Sequence, residues 1–99
     1  MPRVQIKYIK AEEVKFISHR DLIRAFGRAI RRAELPIAYS QGFNPRMKVS
    51  WGQALKVGAT SAGETAELLL AQPLSPSEVM TRLNRQLPKG LAVIGASLL

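Results

Sequence analysis

The apolar residues of this chain change period along its length, and the order of those changes restricts the fold more than any other feature. "RVQIKYIK", residues 3–10, alternates: Val4, Ile6 and Tyr8 point one way, and Arg3, Gln5 and Lys7 the other. That is the pattern of a half-buried strand. "AEE" follows as a predicted turn and "VKFI" as a short extended piece. From Ser18 the period becomes helical. Leu22, Ala25, Phe26, Ala29, Ile30 and Ala33 form one apolar face. Ser18 is the predicted N-cap, with Asp21 three residues later completing an imperfect capping box. Pro36 excludes helical geometry at Leu35, so the helix ends before it.

Residues 35–45 are a connection, with Gly42 suited to a left-handed conformation and Asn44-Pro45 a turn signal. "RMKVSW", 46–51, alternates again, with Met47, Val49 and Trp51 on one face and Arg46, Lys48 and Ser50 on the other. "GQALKVGATSAG", 52–63, has three glycines and no period, which predicts a loop. "ETAELLLA", 64–71, is a third strand. "SPSEVMTRLNRQL" is a second helix: Ser75 caps it, Pro76 takes the first helical position and Glu78 completes the box. Val79, Met80, Leu83 and Leu87 supply its apolar face, and Pro88 and Gly90 stop it. "LAVIGASLL" closes the chain as a strand. Strand, helix, strand, strand, helix, strand predicts an α+β, ferredoxin-like βαββαβ fold, a four-stranded antiparallel sheet with two helices on one face. At 99 residues the expectation is a single domain, 1–99. Such a fold decides nothing about activity.

Charge narrows the function. Fifteen Lys+Arg against seven Asp+Glu give a net +8, which serves either solubility or an anionic partner, most often nucleic acid. At 100° per residue, Arg20, Arg24, Arg28 and Arg31 fall within about an 80° arc opposite the apolar face, with Arg32 at its margin. A solvated helix face usually mixes signs. Here Arg20–Arg24 and Arg24–Arg28 are repulsive i,i+4 pairs, and no acid falls on the arc. Arginine also suits bidentate phosphate contact better than lysine. With Val4, Ile6, Tyr8, Met47, Val49 and Trp51 facing the core, Arg3, Gln5, Lys7, Arg46, Lys48 and Ser50 share the open sheet face. That face suits phosphate tracking and lacks an aromatic pair for stacking bases. Arg20, Arg24, Arg28, Arg31, Arg46 and Lys48 are the expected nucleic-acid-binding set.

Phe43 and Tyr39 have two readings each, a plug over the core or an exposed platform that stacks a base or meets a partner. For Phe43 the plug is preferred, because Met47, Val49 and Trp51 offer apolar surface nearby. Trp51 is expected in the core. His19, next to the helix cap, is expected to be structural or simply exposed. An acid–base role would need Tyr39, Lys48 or Asp21 beside it. The absence of cysteine excludes disulfides, thiol catalysis and iron–sulfur ligation within this chain. One histidine leaves little for a metal site, and no cofactor is expected. The beginning of the chain has no apolar signal segment, and no apolar run reaches about 18 residues. The expectation is a cytoplasmic protein without a membrane span.

The stretch "FISHRDLIRAFGRAIRRAELPIAYSQGFNPRMKVSWG", 16–52, resembles the radical-SAM-linked domain of unknown function, found beside or fused to a radical S-adenosylmethionine protein. The matching pieces are F-x-S-H-x-D-L at Phe16 to Leu22, R-R-A-x-L-P at Arg31 to Pro36, and Y-S-Q-G-F-N-P-R at Tyr39 to Arg46. "SPSE" and "LPKG" fit more loosely. After Trp51 the chain keeps the family's Gly58, Ser61 and Glu64 but has Ala54 where proline is common. The resemblance implies a longer family domain, of which this chain is like the N-terminal part, as a short form or a fragment. It implies a radical SAM enzyme as partner, which would carry the iron–sulfur cluster. It also points to RNA, since relatives are encoded near ribosomal proteins and an RNase of the E/G type. It supplies no reaction. The combined expectation is a non-catalytic RNA-binding or substrate-presenting module. The alternatives are a protein-docking domain for the radical SAM enzyme, or a metal-independent RNase-like enzyme with His19, Tyr39 and Lys48 around a scissile phosphodiester.

Overall fold

The predicted order of strands and helices is kept in the computed structural model, which describes residues 2–52 and 61–99. The elements are β1 (Arg3–Lys10), α1 (His19–Arg32), β2 (Val49–Trp51), β3 (Ser61–Leu69), α2 (Pro76–Gln86) and β4 (Leu91–Leu98). The strands form one sheet in the order β2-β3-β1-β4, with every neighbouring pair antiparallel. This is the ferredoxin-like order. Val4, Ile6 and Tyr8 of β1 are buried together with Leu22, Ala25, Phe26, Ala29 and Ile30 of α1 and Val79 and Leu83 of α2. Both helices therefore cover one sheet face. Among the described residues, no helix is long and apolar enough to cross a membrane.

An aromatic group locks α1 to the sheet. The Tyr8 and Phe26 rings lie 5.0 Å apart, and Trp51 meets Phe26 at 5.3 Å and Tyr8 at 5.8 Å, edge-on in both cases. Tilted and edge-to-face pairs at these distances add about 0.5–1.5 kcal/mol each to the burial of the rings. β1, α1 and β2 thus meet at one point, as the core placement of Trp51 requires.

The helix ends follow from their residues. Ser18 Oγ accepts the Asp21 N–H at 3.1 Å, and Ser75 Oγ accepts the Glu78 N–H at 3.2 Å, with Pro76 at the start of α2. At the end of α1, Glu34 N–H donates to Arg31 O and Leu35 N–H to Ile30 O, the paired bonds of a Schellman turn. Glycine is usual at the left-handed position of that turn. Here Glu34 holds it, at φ 55°. Asn84 of α2 binds the edge strand in both directions, donating to Val93 O at 2.9 Å and accepting the Val93 N–H at 2.8 Å. This closes part of the free edge of β4, beside a bulge in its pairing with β1.

Three stretches depart from expectation by three residues or more. "VKFI" is not extended: Glu12–Val14 is one turn of 3-10 helix, followed by a bond from Ile17 N–H to Val14 O. Two alternating residues are too few to set a strand. The turn is held against Gly90, where a Cβ would come within 3.0 Å of the Val14 side chain and where a φ of 98° also favours glycine. Lys10, 3% exposed at the end of β1, also reaches Ile17 O at 3.3 Å. β2 is shorter than 46–51, because Met47 bridges Tyr39 and Lys48 N–H donates to Ala38 O, so that part pairs with the incoming chain. β3 starts at Ser61 rather than Glu64, since Lys10 extends the ladder to Ser61. The remainder of the predicted loop, 53–60, lies outside the described residues.

Burial, and secondarily the Glu64 carboxylate paired across the sheet, pushes the Tyr8 phenol from 10.0 up to about 12. The folded state therefore favours the neutral ring. That stability is complete below pH ~10 and is lost as pH rises from ~10 to ~12, by about 2–3 kcal/mol. Denaturant unfolding across this range should show the decline in the native chain and not in Tyr8→Phe. An equal decline in both would assign it to other groups.

Candidate functional site

The rotation of α1 is fixed by its buried face, and this decides where its arginines go. With Leu22, Ala25, Phe26, Ala29 and Ile30 inward, Arg20, Arg24, Arg28, Arg31 and Arg32 are all exposed on the outer side. The row is not wholly free of acid: Asp21, displaced from the arc, reaches Arg24 at 3.7 Å. Both groups of that pair are solvated, so it leaves the guanidinium largely available.

The other two basic candidates lie elsewhere. Lys48 lines a shallow cleft of about 330 Å³ with Arg3, Ser50, Glu67 and Leu69 on the open sheet face. The core and the sheet separate that cleft from the arginines of α1. Sequence reasoning assigned this face only basic and neutral residues. Register adds Glu67, directly across from both Gln5 and Ser50. The face is thus less positive than expected. Lys7 lies over Gly63, where a side chain would collide with it.

Tyr39 to Met47 forms a hairpin. Ser40 N–H donates to Arg46 O at 2.8 Å, and Arg46 N–H donates to Ser40 Oγ at 3.0 Å. Gln41 to Pro45 make the tip, which Gly42 turns at φ 131°. Phe43 stands at this tip and is fully exposed. The preferred plug over the core is therefore wrong. The bonds between Ser40 and Arg46 close the neck and aim the loop outward, and Trp51 already fills the space under α1. Tyr39 is 47% exposed at the base of the hairpin, and Arg46 sits at its neck. His19 is half-buried, with its ring edge-on to Trp51 at 6.1 Å. Among the described residues it has no hydrogen bond to Tyr39, Lys48 or Asp21, and Lys48 is on the opposite sheet face. The contact shown for the His19 ring is this packing against Trp51.

A further basic group was missed. Arg82 and Arg85 of α2 line a cleft of about 290 Å³ with Arg32, Ala33, Glu34 and Gln86. Arg82 Nε also meets Glu78 at 3.0 Å. Their i,i+3 spacing on one helix was visible in the sequence. Their approach to the end of α1 is tertiary and was not.

The chain belongs to a bacterial family described as "Uncharacterized protein conserved in bacteria (DUF2344)", whose profile matches residues 3–99. No curated protein matches it.

Because Phe43 touches solvent on all sides, Phe43→Ala should move stability by less than about 0.5 kcal/mol. A thermal melt checks this. A loss of about 3–5 kcal/mol, the usual cost of truncating a core aromatic, would put the ring back in the core.

Proposed function

We propose that residues 1–99 are a single, non-catalytic RNA-binding domain that presents RNA to a radical SAM enzyme in the cytoplasm. One observation carries the RNA reading: five arginines on the outer face of α1, all exposed, with a single solvated carboxylate paired to them among the described residues. Arginines at this spacing repel one another by a few tenths of a kcal/mol per i,i+4 pair. A polyanion converts that repulsion into attraction and releases counterions. Arg20, Arg24, Arg28 and Arg31 form the phosphate row in this reading, which leaves out Lys48, across the sheet from them, and Arg46, at the hairpin neck. The enzyme partner rests on the resemblance of residues 16–52 to the radical-SAM-linked domain.

The exposed hairpin tip favours a second reading. A fully exposed Phe43 at the tip of the hairpin, with a half-exposed Tyr39 at its base, suits docking onto the enzyme. In that case RNA binding is unaffected by Phe43→Ala, while association with the enzyme is lost.

Affinity for a short single-stranded RNA should fall steeply between low and physiological salt. Arg24→Glu with Arg28→Glu should leave the melting temperature close to native and reduce the slope of log K against log salt by about 1.4, at about 0.7 per lost contact on a single strand. Fluorescence titration at several salt concentrations measures both. Unchanged affinity in the double variant would remove α1 from the interface.

A further inference from the structure

The cleft between the end of α1 and the second half of α2 has a composition that neither a plain phosphate site nor a plain helix terminus explains. Arg32, Arg82 and Arg85 line it, and so does Glu34. A site for phosphate alone gains nothing from a carboxylate among guanidinium groups. A helix terminus alone favours glycine at this position, because a left-handed φ strains any residue with a side chain. Glu34 takes that conformation at φ 55°. Among the described residues it has no ion pair within 4.0 Å, although three arginines share its cleft. Its carboxylate is therefore an acceptor not committed to a protein partner.

A ligand that satisfies both charge types carries an anion and a hydroxyl donor side by side. We propose that this cleft binds a ribose-phosphate unit of an RNA strand. Arg32 and Arg85 hold the phosphate, Arg82 supports it from its pairing with Glu78, and Glu34 accepts a hydrogen bond from the adjacent 2′-hydroxyl. The 2′-hydroxyl is the group that distinguishes RNA from DNA, so the cleft makes the domain selective for RNA. At about 290 Å³ the space lies at the small end of ligand clefts, enough for a sugar and phosphate with the base left outside. The inference rests on the RNA-binding reading above and adds to it a discriminating residue.

The test compares single-stranded oligo(U) with oligo(dU) of the same length, which differ only in the 2′-hydroxyl, at one low salt concentration. The native chain should prefer oligo(U) by about tenfold, the size of one hydrogen bond to a charged group. Glu34→Ala should weaken oligo(U) binding and strengthen oligo(dU) binding, since it removes the acceptor and a negative charge together. If Glu34 acts only through its charge, its removal raises both affinities in parallel, and that result overturns the inference. Glu34→Gln, which keeps the side-chain length, replaces the alanine variant if the latter melts far below the native chain. It should narrow the preference in the same sense. Equal binding of both oligonucleotides by the native chain overturns the inference while leaving the RNA-binding reading intact. Binding of neither removes both.

Discussion

The meeting of Tyr8, Phe26 and Trp51 is the constraint on which the rest of the molecule depends. Three elements far apart in sequence each supply one ring, with centroids between 5.0 and 5.8 Å apart. Phe26 is completely buried, which alone is worth about 1.5–3 kcal/mol. The cluster sets which side of α1 faces the sheet and joins the short β2 to the central β1. His19 extends it at the start of α1, edge-on to Trp51.

Once the phase of α1 is fixed, the arginines have no alternative place. Residues at 20, 24, 28 and 31 lie opposite Leu22, Phe26 and Ala29, and turning them inward would expose Phe26. The helix tolerates their mutual repulsion because each repulsive pair costs a few tenths of a kcal/mol, far less than its buried face contributes. Basic residues in the last turn, Arg31 and Arg32, also meet the negative end of the helix dipole. The same phase brings the end of α1 against Arg82 and Arg85, so the charge on the two helices is continued rather than divided.

Most of the fold was legible because its signals are local. Ser18, Pro36, Ser75, Pro76 and Gly90 mark helix boundaries by chemistry that acts within a turn. The alternation in residues 3–10 names the buried side of β1 residue by residue. What was not legible depends on contacts between distant residues. Phe43 lies outside because a hydrogen-bonded neck at Ser40 and Arg46 aims its loop away, and no periodicity reports a neck. Glu67 joins the open face through register with Gln5 and Ser50, which exists only after the strands pair. Arg46 and Lys48 were grouped with the α1 arginines by charge, whereas the sheet puts Lys48 on the far side from them. Glu34 escaped notice because a glutamate after a helix is ordinary until its backbone is seen to be left-handed.

The central claim is that the outer helix layer, and not the open sheet face, meets the nucleic acid. Amide chemical-shift mapping during titration with a short single-stranded RNA tests it most directly. The account predicts perturbations concentrated in Arg20–Glu34 and Arg82–Gln86, with Gln5, Lys7, Ser50 and Glu67 unmoved. Perturbations confined to those four sheet residues, or none at any residue, would contradict it.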